Sequence, residues 1–303
     1  MGFSATGLSG KVVNDVFFFI LVICIFLLGL ITSLMVYFVI RYRKARNPHP
    51  TNIEGSTWLE IGWTIAPILL VLVMFYYGTI GFEFLKKVPP GAMGVKVIAR
   101  QWSWLFEYEN GIKNTSLRVP LGKPVKLLLH SEDVIHGFYV PAFRIKQDVV
   151  PGMQTYLWFQ ATETGTFDVL CTQYCGLEHA HMRAKVIVLP EEDFTKWYQS
   201  GLGELKGPPS GFRLYQEKGC MACHSIDGSS RVGPTFKGLI GKKETVMKNG
   251  KEQTVVVDEA FVRNYIVNPN VDVVKGYSPI MPHIPMADAE LDAIVKYLET
   301  LKG

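Results

Sequence analysis

The sequence predicts a multi-domain membrane protein: a two-helix transmembrane hairpin, then a β-barrel or sandwich, then an all-α domain. Three observations carry this. Residues 16–40 and 61–82 hold no charged side chain, and each run exceeds the roughly 20 apolar residues that a helix needs to span a bilayer. Between 95 and 190, short β-rich runs are punctuated by Gly and Pro, the rhythm of an all-β domain of about a hundred residues. After a Gly/Pro/Ser-rich stretch, apolar residues return at helical spacing. A chain of 303 residues, 48% of them hydrophobic, has room for three such parts. They are expected at 1–90, 91–200 and 212–303, with a linker at 201–211.

Two uncharged runs within the first 85 residues argue against buried helices of a soluble protein. Pro67 lies inside the second run, which a membrane helix tolerates when neighbours satisfy the freed carbonyl. The loop between the runs opens with Arg41, Arg43, Lys44 and Arg46. Basic loops stay in the cytoplasm, and Lys86 and Lys87 oppose this only weakly. The hairpin loop is therefore expected inside. Both termini and everything after residue 82 are expected on the periplasmic side of a bacterial inner membrane. The N-terminus lacks a basic region followed by a small-residue cleavage site, so the first span is read as retained. Cys24, in that span, reads as an inert membrane-facing or helix-packing residue.

The net charge is +4, and residues 91–200 carry eleven basic and eleven acidic side chains. No basic patch interleaved with aromatics stands out, which excludes nucleic-acid binding. Five cysteines are too few, and too closely paired, for a disulfide scaffold.

In the β-region, strands are expected at 95–99, 125–129, 155–161, 165–170 and 184–189. The chemistry concentrates in the loop after the fourth of these, Cys171-Thr-Gln-Tyr-Cys175-Gly-Leu-Glu-His179-Ala-His-Met182. Two thiols, an imidazole and a thioether lie within twelve residues. Another imidazole, His136, follows the 125–129 strand. Soft sulfur with imidazole and a weak Met is the ligand chemistry of copper electron-transfer sites. One cysteine would suit a single copper, whereas two cysteines four apart can both bridge a pair of copper ions.

This loop resembles the copper loop of cytochrome oxidase subunit II, and the resemblance runs over nearly all of residues 15–190. It implies a cupredoxin-like barrel. It implies that His136 and His179 each hold one copper, that Cys171 and Cys175 bridge, and that Met182 is a weak ligand of the dinuclear centre, CuA. Gln173 stands where the family often has Glu. Its backbone carbonyl still serves as a copper ligand, but the Glu side chain also serves a magnesium or manganese site shared with subunit I, which is put in question here. Met153 also departs from the family's usual Arg. Trp102, in Arg100-Gln-Trp102-Ser-Trp104, matches the tryptophan through which electrons enter at the surface; from the residues alone it reads as a core aromatic on a strand. Glu60, at the start of the second span, matches a carboxylate at the mouth of a proton channel, and an acid there also complements the helix dipole.

Beyond the linker comes Lys218-Gly-Cys220-Met-Ala-Cys223-His224. Cys-x-x-Cys-His is the attachment signal for c-type haem, with the adjacent His as an axial ligand. Zinc would need a second Cys/His pair at suitable spacing, and a thioredoxin-like pair would need a βαβ context; neither is present. Helices are expected at 212–218, 258–266 and 288–301, the last presenting Leu291, Ile294, Leu298 and Leu301 on one face. The segment resembles small class I cytochromes c. That likeness implies a distal methionine just before a proline: Met281 is preferred, Met286 is second and His283 third. Met/His ligation gives a higher potential than two histidines. His49, His130 and His181 show no partner pattern, although His181 is expected to line the copper site.

Together the resemblances imply the electron-entry subunit of a proton-pumping cytochrome c oxidase, a subunit of an enzyme with no oxygen-reducing site of its own. Electrons would pass from haem c to CuA and on to subunit I, which reduces oxygen to water. Expected partners are subunit I, subunit III, the bilayer, and cytochrome c or a quinol-oxidising complex as donor. Neither exported part is strongly acidic, so net charge does not indicate steering of a basic soluble cytochrome. A quinol oxidase subunit of the same fold would lack the copper ligands. An entry subunit of a nitric oxide reductase, or a free-standing tethered carrier, stays open as an alternative, although a simple tether needs only one span.

Overall fold

The computed structural model describes residues 6–49, 51, 54–201, 210–248 and 250–301. Two helices come first, α1 (Leu8–Arg41) and α2 (Thr57–Lys86). Both are long and apolar enough to cross a membrane, and both extend past the uncharged runs. They pack where Gly81 lets α2 approach Val12 and Val16 of α1, and where Phe19 meets Tyr77 edge-on. Most of their large apolar side chains face outward, as lipid requires and water does not. Cys24 is among the outward-facing residues.

The outer ends of both helices abut the β-domain. Ser9 Oγ donates to the Phe143 carbonyl, and Gly7 bridges to Ala161. From α2, Phe84 packs on Trp158, while Tyr156 Oη donates to the Lys86 carbonyl. The start of α1 and the end of α2 thus lie on the same side of the hairpin as the β-domain, with the Arg/Lys loop at its far end.

The β-domain is two five-stranded sheets face to face. One runs β3 (Lys113–Asn114), β2 (Ser103–Tyr108), β1 (Met93–Arg100), β5 (Pro124–Ser131), β8 (Thr155–Gln160). The other runs β4 (Leu117–Pro120), β10 (Arg183–Leu189), β9 (Gly165–Cys171), β6 (His136–Val140), β7 (Ile145–Val149). Strict alternation on β5 buries Val125, Leu127, Leu129 and Ser131, because successive side chains point to opposite faces of a strand. Phe106, Phe138, Phe143 and Phe159 fill the space between the sheets. All five expected strands are present. β2, β3, β4, β6 and β7 were not foreseen, nor was α3 (Glu191–Ser200), whose Trp197 packs on Tyr108.

Of the expected linker, residues 202–209 lie outside the described residues. The C-terminal domain then crosses α4 (Gly211–Glu217) over α6 (Asp288–Thr300), with Gly211 set directly on Tyr297 and the Ala293 carbonyl. α5 (Glu259–Val267) is capped by Asp258, whose carboxylate accepts from the Phe261 amide at 2.7 Å. Leu214, Val257, Val262, Ile294, Val295 and Leu298 form its core. The domain is helical around its cavity, as expected, and it also carries a three-stranded antiparallel sheet absent from the sequence reading. That sheet is β11 (Lys243–Lys248) between β12 (Lys251–Val256) and β13 (Asp272–Val274).

The C-terminal domain rests on the β-domain. Lys113 Nζ donates to Glu217 Oε1 at 2.7 Å across the junction. Ala222, Cys223 and Ile280 pack against the β-domain core.

Candidate metal and haem sites

The copper-type loop is held by strand pairing. β6 pairs with β9 so that Phe138 lies opposite Cys171, which brings His136, at the start of β6, beside the cysteine that ends β9. The chain then turns through residues 172–182 and returns as β10. The Thr172 amide donates to the Gly137 carbonyl at 3.0 Å, and a short 3-10 turn at His179–His181 carries the second imidazole. Gly137 is required: a Cβ there would overlap Thr172 Oγ1 and sit 3.1 Å from the Gln173 amide nitrogen.

These strands converge the donor atoms. One atom each from His136, Cys171 and Cys175 lies within 4.8 Å of the others. The two Sγ atoms are 3.8 Å apart, far beyond a disulfide bond. His136 Nδ1 lies 3.9 Å from Cys171 Sγ, and His179 Nδ1 lies 3.5 Å from Cys175 Sγ. Met182 Sδ stands 3.8 Å from Cys175 Sγ, and the Gln173 carbonyl is 3.3 Å from Cys171 Sγ. Two thiols thus occupy the centre, with an imidazole on each side and a thioether and a carbonyl at the edges. This donor set fits a pair of copper ions.

The surroundings prepare the ligands. Burial opposes ionisation of Cys171, yet hydrogen bonds from His136 and from the Gly137 and Gln173 backbone outweigh it and draw the thiol pKa down. Burial and the adjacent Cys171 sulfur push Cys175 up. Like charges 3.8 Å apart resist losing both protons until a cation joins them.

Trp102 and Gln101 occupy the turn between β1 and β2. Gln101 Nε2 donates to the Cys175 carbonyl at 2.7 Å, and Trp102 Nε1 donates to the same oxygen at 3.1 Å. Trp102 is only 5% exposed, which corrects the expectation of a surface residue. The C-terminal domain faces it across a cleft lined by Met221, Ala222 and Arg231. Trp104, on β2, is the core aromatic, edge-on to Phe138 at 5.2 Å. His181 points away from the ligands, its side chain 74% exposed and paired with Glu178 at 2.7 Å. Gln173 Nε2 donates to Asp148 Oδ1 at 3.1 Å. Glu60 sits in the first turn of α2, far from this loop in the chain, and Met153 is exposed.

In the C-terminal domain, Cys220 and Cys223 lie on a 3-10 turn and its cap, with His224 following. His224 is buried, stacked on Phe236 at 4.4 Å, and its Nδ1 lies 2.7 Å from the Pro234 carbonyl. Burial holds its pKa down and the Pro234 bond opposes only in part, so the imidazole is neutral with Nε2 free. Burial pushes Cys220 up to about 11 and Cys223 up to about 12. A pocket opens beside these groups, lined by Tyr215, Ile266, Met281, Met286, Ile294 and Leu298. A second adjoins it and shares His224, Phe236 and Met281. Apolar walls, two thiols at one rim and a neutral imidazole fit a covalently held haem. Met281 borders both cavities and Met286 only the first. His283 lines a different cleft, with Arg100 and Glu132. Sequence reasoning missed Gln101, Gly137 and Asp133; a Gly directly after a ligand histidine was the available signal for the second.

Two outward-facing apolar helices, a two-sheet domain with a sulfur–imidazole loop and a Cys-x-x-Cys-His helical domain define a membrane-anchored redox protein. Family comparison agrees with this. The cytochrome c oxidase subunit II transmembrane domain matches residues 4–78, its periplasmic domain residues 111–189, and cytochrome c residues 210–302. Cytochrome c oxidase subunit 2 of Alkalihalophilus pseudofirmus is 30% identical over 304 aligned positions, covering 93% of this chain and 86% of that protein. An alternative cytochrome c oxidase subunit 2 of Bradyrhizobium diazoefficiens is 37% identical, covering 54% of this chain and 71% of that one. Among solved structures, the periplasmic domain of subunit II of a Bradyrhizobium japonicum cytochrome oxidase is 28% identical at a TM-score of 0.36, covering 38% of this chain and 96% of that one. The chain belongs to the cytochrome c oxidase subunit 2 family, with a cytochrome c domain at its C-terminus. It is a membrane-protein subunit of an oxidoreductase complex, with a cupredoxin-like central domain.

Proposed function

We propose that this chain is the electron-entry subunit of a proton-pumping oxidase that reduces oxygen to water in subunit I. The carrying observation is that His136 at the start of β6 meets the two cysteines, His179 and Met182 of the 171–182 loop, next to a haem-type cavity in the same chain. When bound, haem c and the copper pair each exchange one electron.

His136, Cys171, Cys175, His179, Met182 and the Gln173 carbonyl would hold the copper pair. Cys220 and Cys223 would anchor the haem, and His224 and Met281 would supply its iron ligands. Trp102 carries the electron inward: its indole donates to the Cys175 carbonyl, and it faces the C-terminal domain across a cleft, which suits an internal donor better than a soluble one. Glu60 would sit at the mouth of a proton channel in subunit I. The helices dock against subunit I, with subunit III nearby, and cytochrome c or a quinol-oxidising complex supplies electrons.

We assign 1–90 to the hairpin, 91–200 to the copper domain, 201–211 to the linker and 212–303 to the haem domain, both latter domains on the periplasmic face of a bacterial inner membrane. The contacts of both outer helix ends with the β-domain support one side for all of them. A magnesium or manganese ion is not supported at Gln173, whose neutral amide is engaged by Asp148.

His179→Asn tests the reading. It should abolish the two-copper EPR signal and oxygen consumption while leaving haem c reducible. Undiminished turnover would remove the proposed route.

A further inference from the structure

Gln101 is the one residue of the β-domain that lines the haem cavity, beside Gly219, Cys220 and Met281 of the C-terminal domain. Its amide nitrogen also donates to the carbonyl of Cys175, at 2.7 Å. One side chain therefore borders one cofactor pocket and holds the backbone of the other. Its own backbone is fixed as well, since the Gln101 amide donates to Asp133 Oδ2 at 2.7 Å.

The junction is built for this closeness. Gly219, immediately before the first haem-type cysteine, has φ of +78°, a conformation in which glycine is free of strain. A Cβ on it would stand 2.6 Å from Ser103 Oγ. Ser103 begins β2, two residues past Gln101. The Lys113–Glu217 ion pair closes the same junction farther along α4.

We propose that Gln101 is the positioning residue that couples the two cofactor sites, borders the haem pocket and, by its hydrogen bond, fixes the Cys175 carbonyl for electron transfer between them. The inference rests on the function proposed above. The step served is a one-electron oxidation of haem and a one-electron reduction of the copper pair, with no bond made or broken. Trp102 binds the same carbonyl but is not among the residues lining the haem cavity, so the two side chains are not interchangeable.

The test uses the intact oxidase, loaded with copper and haem. Gln101→Leu keeps the bulk and removes the donor; Gln101→Glu keeps the shape and, ionised, also lacks it. Haem-to-copper transfer is followed after photoreduction of haem c, together with copper EPR. Both variants should transfer about tenfold more slowly or worse, since loss of orientation is worth orders of magnitude in rate. Both should also show altered copper hyperfine coupling, with haem bands unchanged. Wild-type rates and copper signal in Gln101→Leu, or wild-type behaviour of Gln101→Glu, would overturn the proposal. Should both fail to load copper, Ser103→Phe, which pries the junction apart from the other side, should slow transfer with the copper signal intact, and a wild-type rate there would overturn it too. Absence of haem-to-copper transfer in the unaltered protein would instead sink the underlying function.

Discussion

His136 is held by Asp133: its Nε2 lies 2.8 Å from the Asp133 carboxylate. That bond settles which imidazole nitrogen faces the sulfur cluster, because the proton sits on Nε2 and Nδ1 is left toward Cys171. Asp133 is itself fixed by the amides of Gln101 and Val134, so the ligand is oriented from two shells out.

Asp133→Ala should therefore weaken copper binding by about 10- to 100-fold while leaving all the ligands in place. Competition with a copper chelator measures this directly. Retention of wild-type affinity would mean that packing alone orients His136.

A methyl group at position 137 should damage the same site by another route. Gly137→Ala drives a carbon into Thr172 and the Gln173 amide, and overpacking of this kind costs about 1–3 kcal/mol. The β-domain should lose stability and copper stoichiometry together, visible as a lower melting temperature and a diminished two-copper signal. An unchanged copper signal would show that the loop relaxes without moving its donors.

Much of this was legible beforehand because local sequence carries it. Absence of charge over a membrane's thickness marks α1 and α2, a short β-rich run marks β5, and the cysteine loop and the Cys-x-x-Cys-His motif are each contiguous. β6 was hidden: its first residue is a ligand, its second a glycine, and five residues give little periodicity. In β11 and β12 only Val246 is buried, so no apolar pattern advertises a strand. Trp102 was placed at a surface because the reading took its domain alone. The C-terminal domain that faces it across the cleft comes from segments over a hundred residues away, which no local pattern encodes.

The two candidate methionines should separate cleanly. Met281 borders both cavities around His224, and its carbonyl accepts from Asn270 Nδ2 at 2.9 Å, which steadies the loop. Met286 packs into the helical core. Met281→Leu should remove the thioether ligand and lower the haem potential, read by redox titration of the visible bands. Met286→Leu should leave the potential near its original value. The reverse pattern would transfer the role to Met286.

Acid should loosen the haem domain partly through Glu290. This residue joins the first turn of α6 to the segment before the haem motif: its carboxylate meets Lys218 Nζ at 2.8 Å and accepts from the Ala287 amide at 3.0 Å. Partial burial opposes its ionisation, but the Lys218 and Ala287 bonds outweigh this and hold the carboxyl below the ordinary glutamate range. A depressed folded-state pKa means that the unfolded chain takes up the proton first as pH falls. The stabilisation is therefore complete above the unfolded value of about 4.3 and is lost as pH drops through the lower folded value. Glu290→Gln keeps the acceptor for Ala287 and discards the charge. It should lower stability near neutral pH by up to about 1 kcal/mol, as for a solvent-screened pair. Thermal melts of the haem absorbance across pH should show the gap between variant and parent closing below about pH 4. A gap independent of pH would assign Glu290 a purely steric capping role.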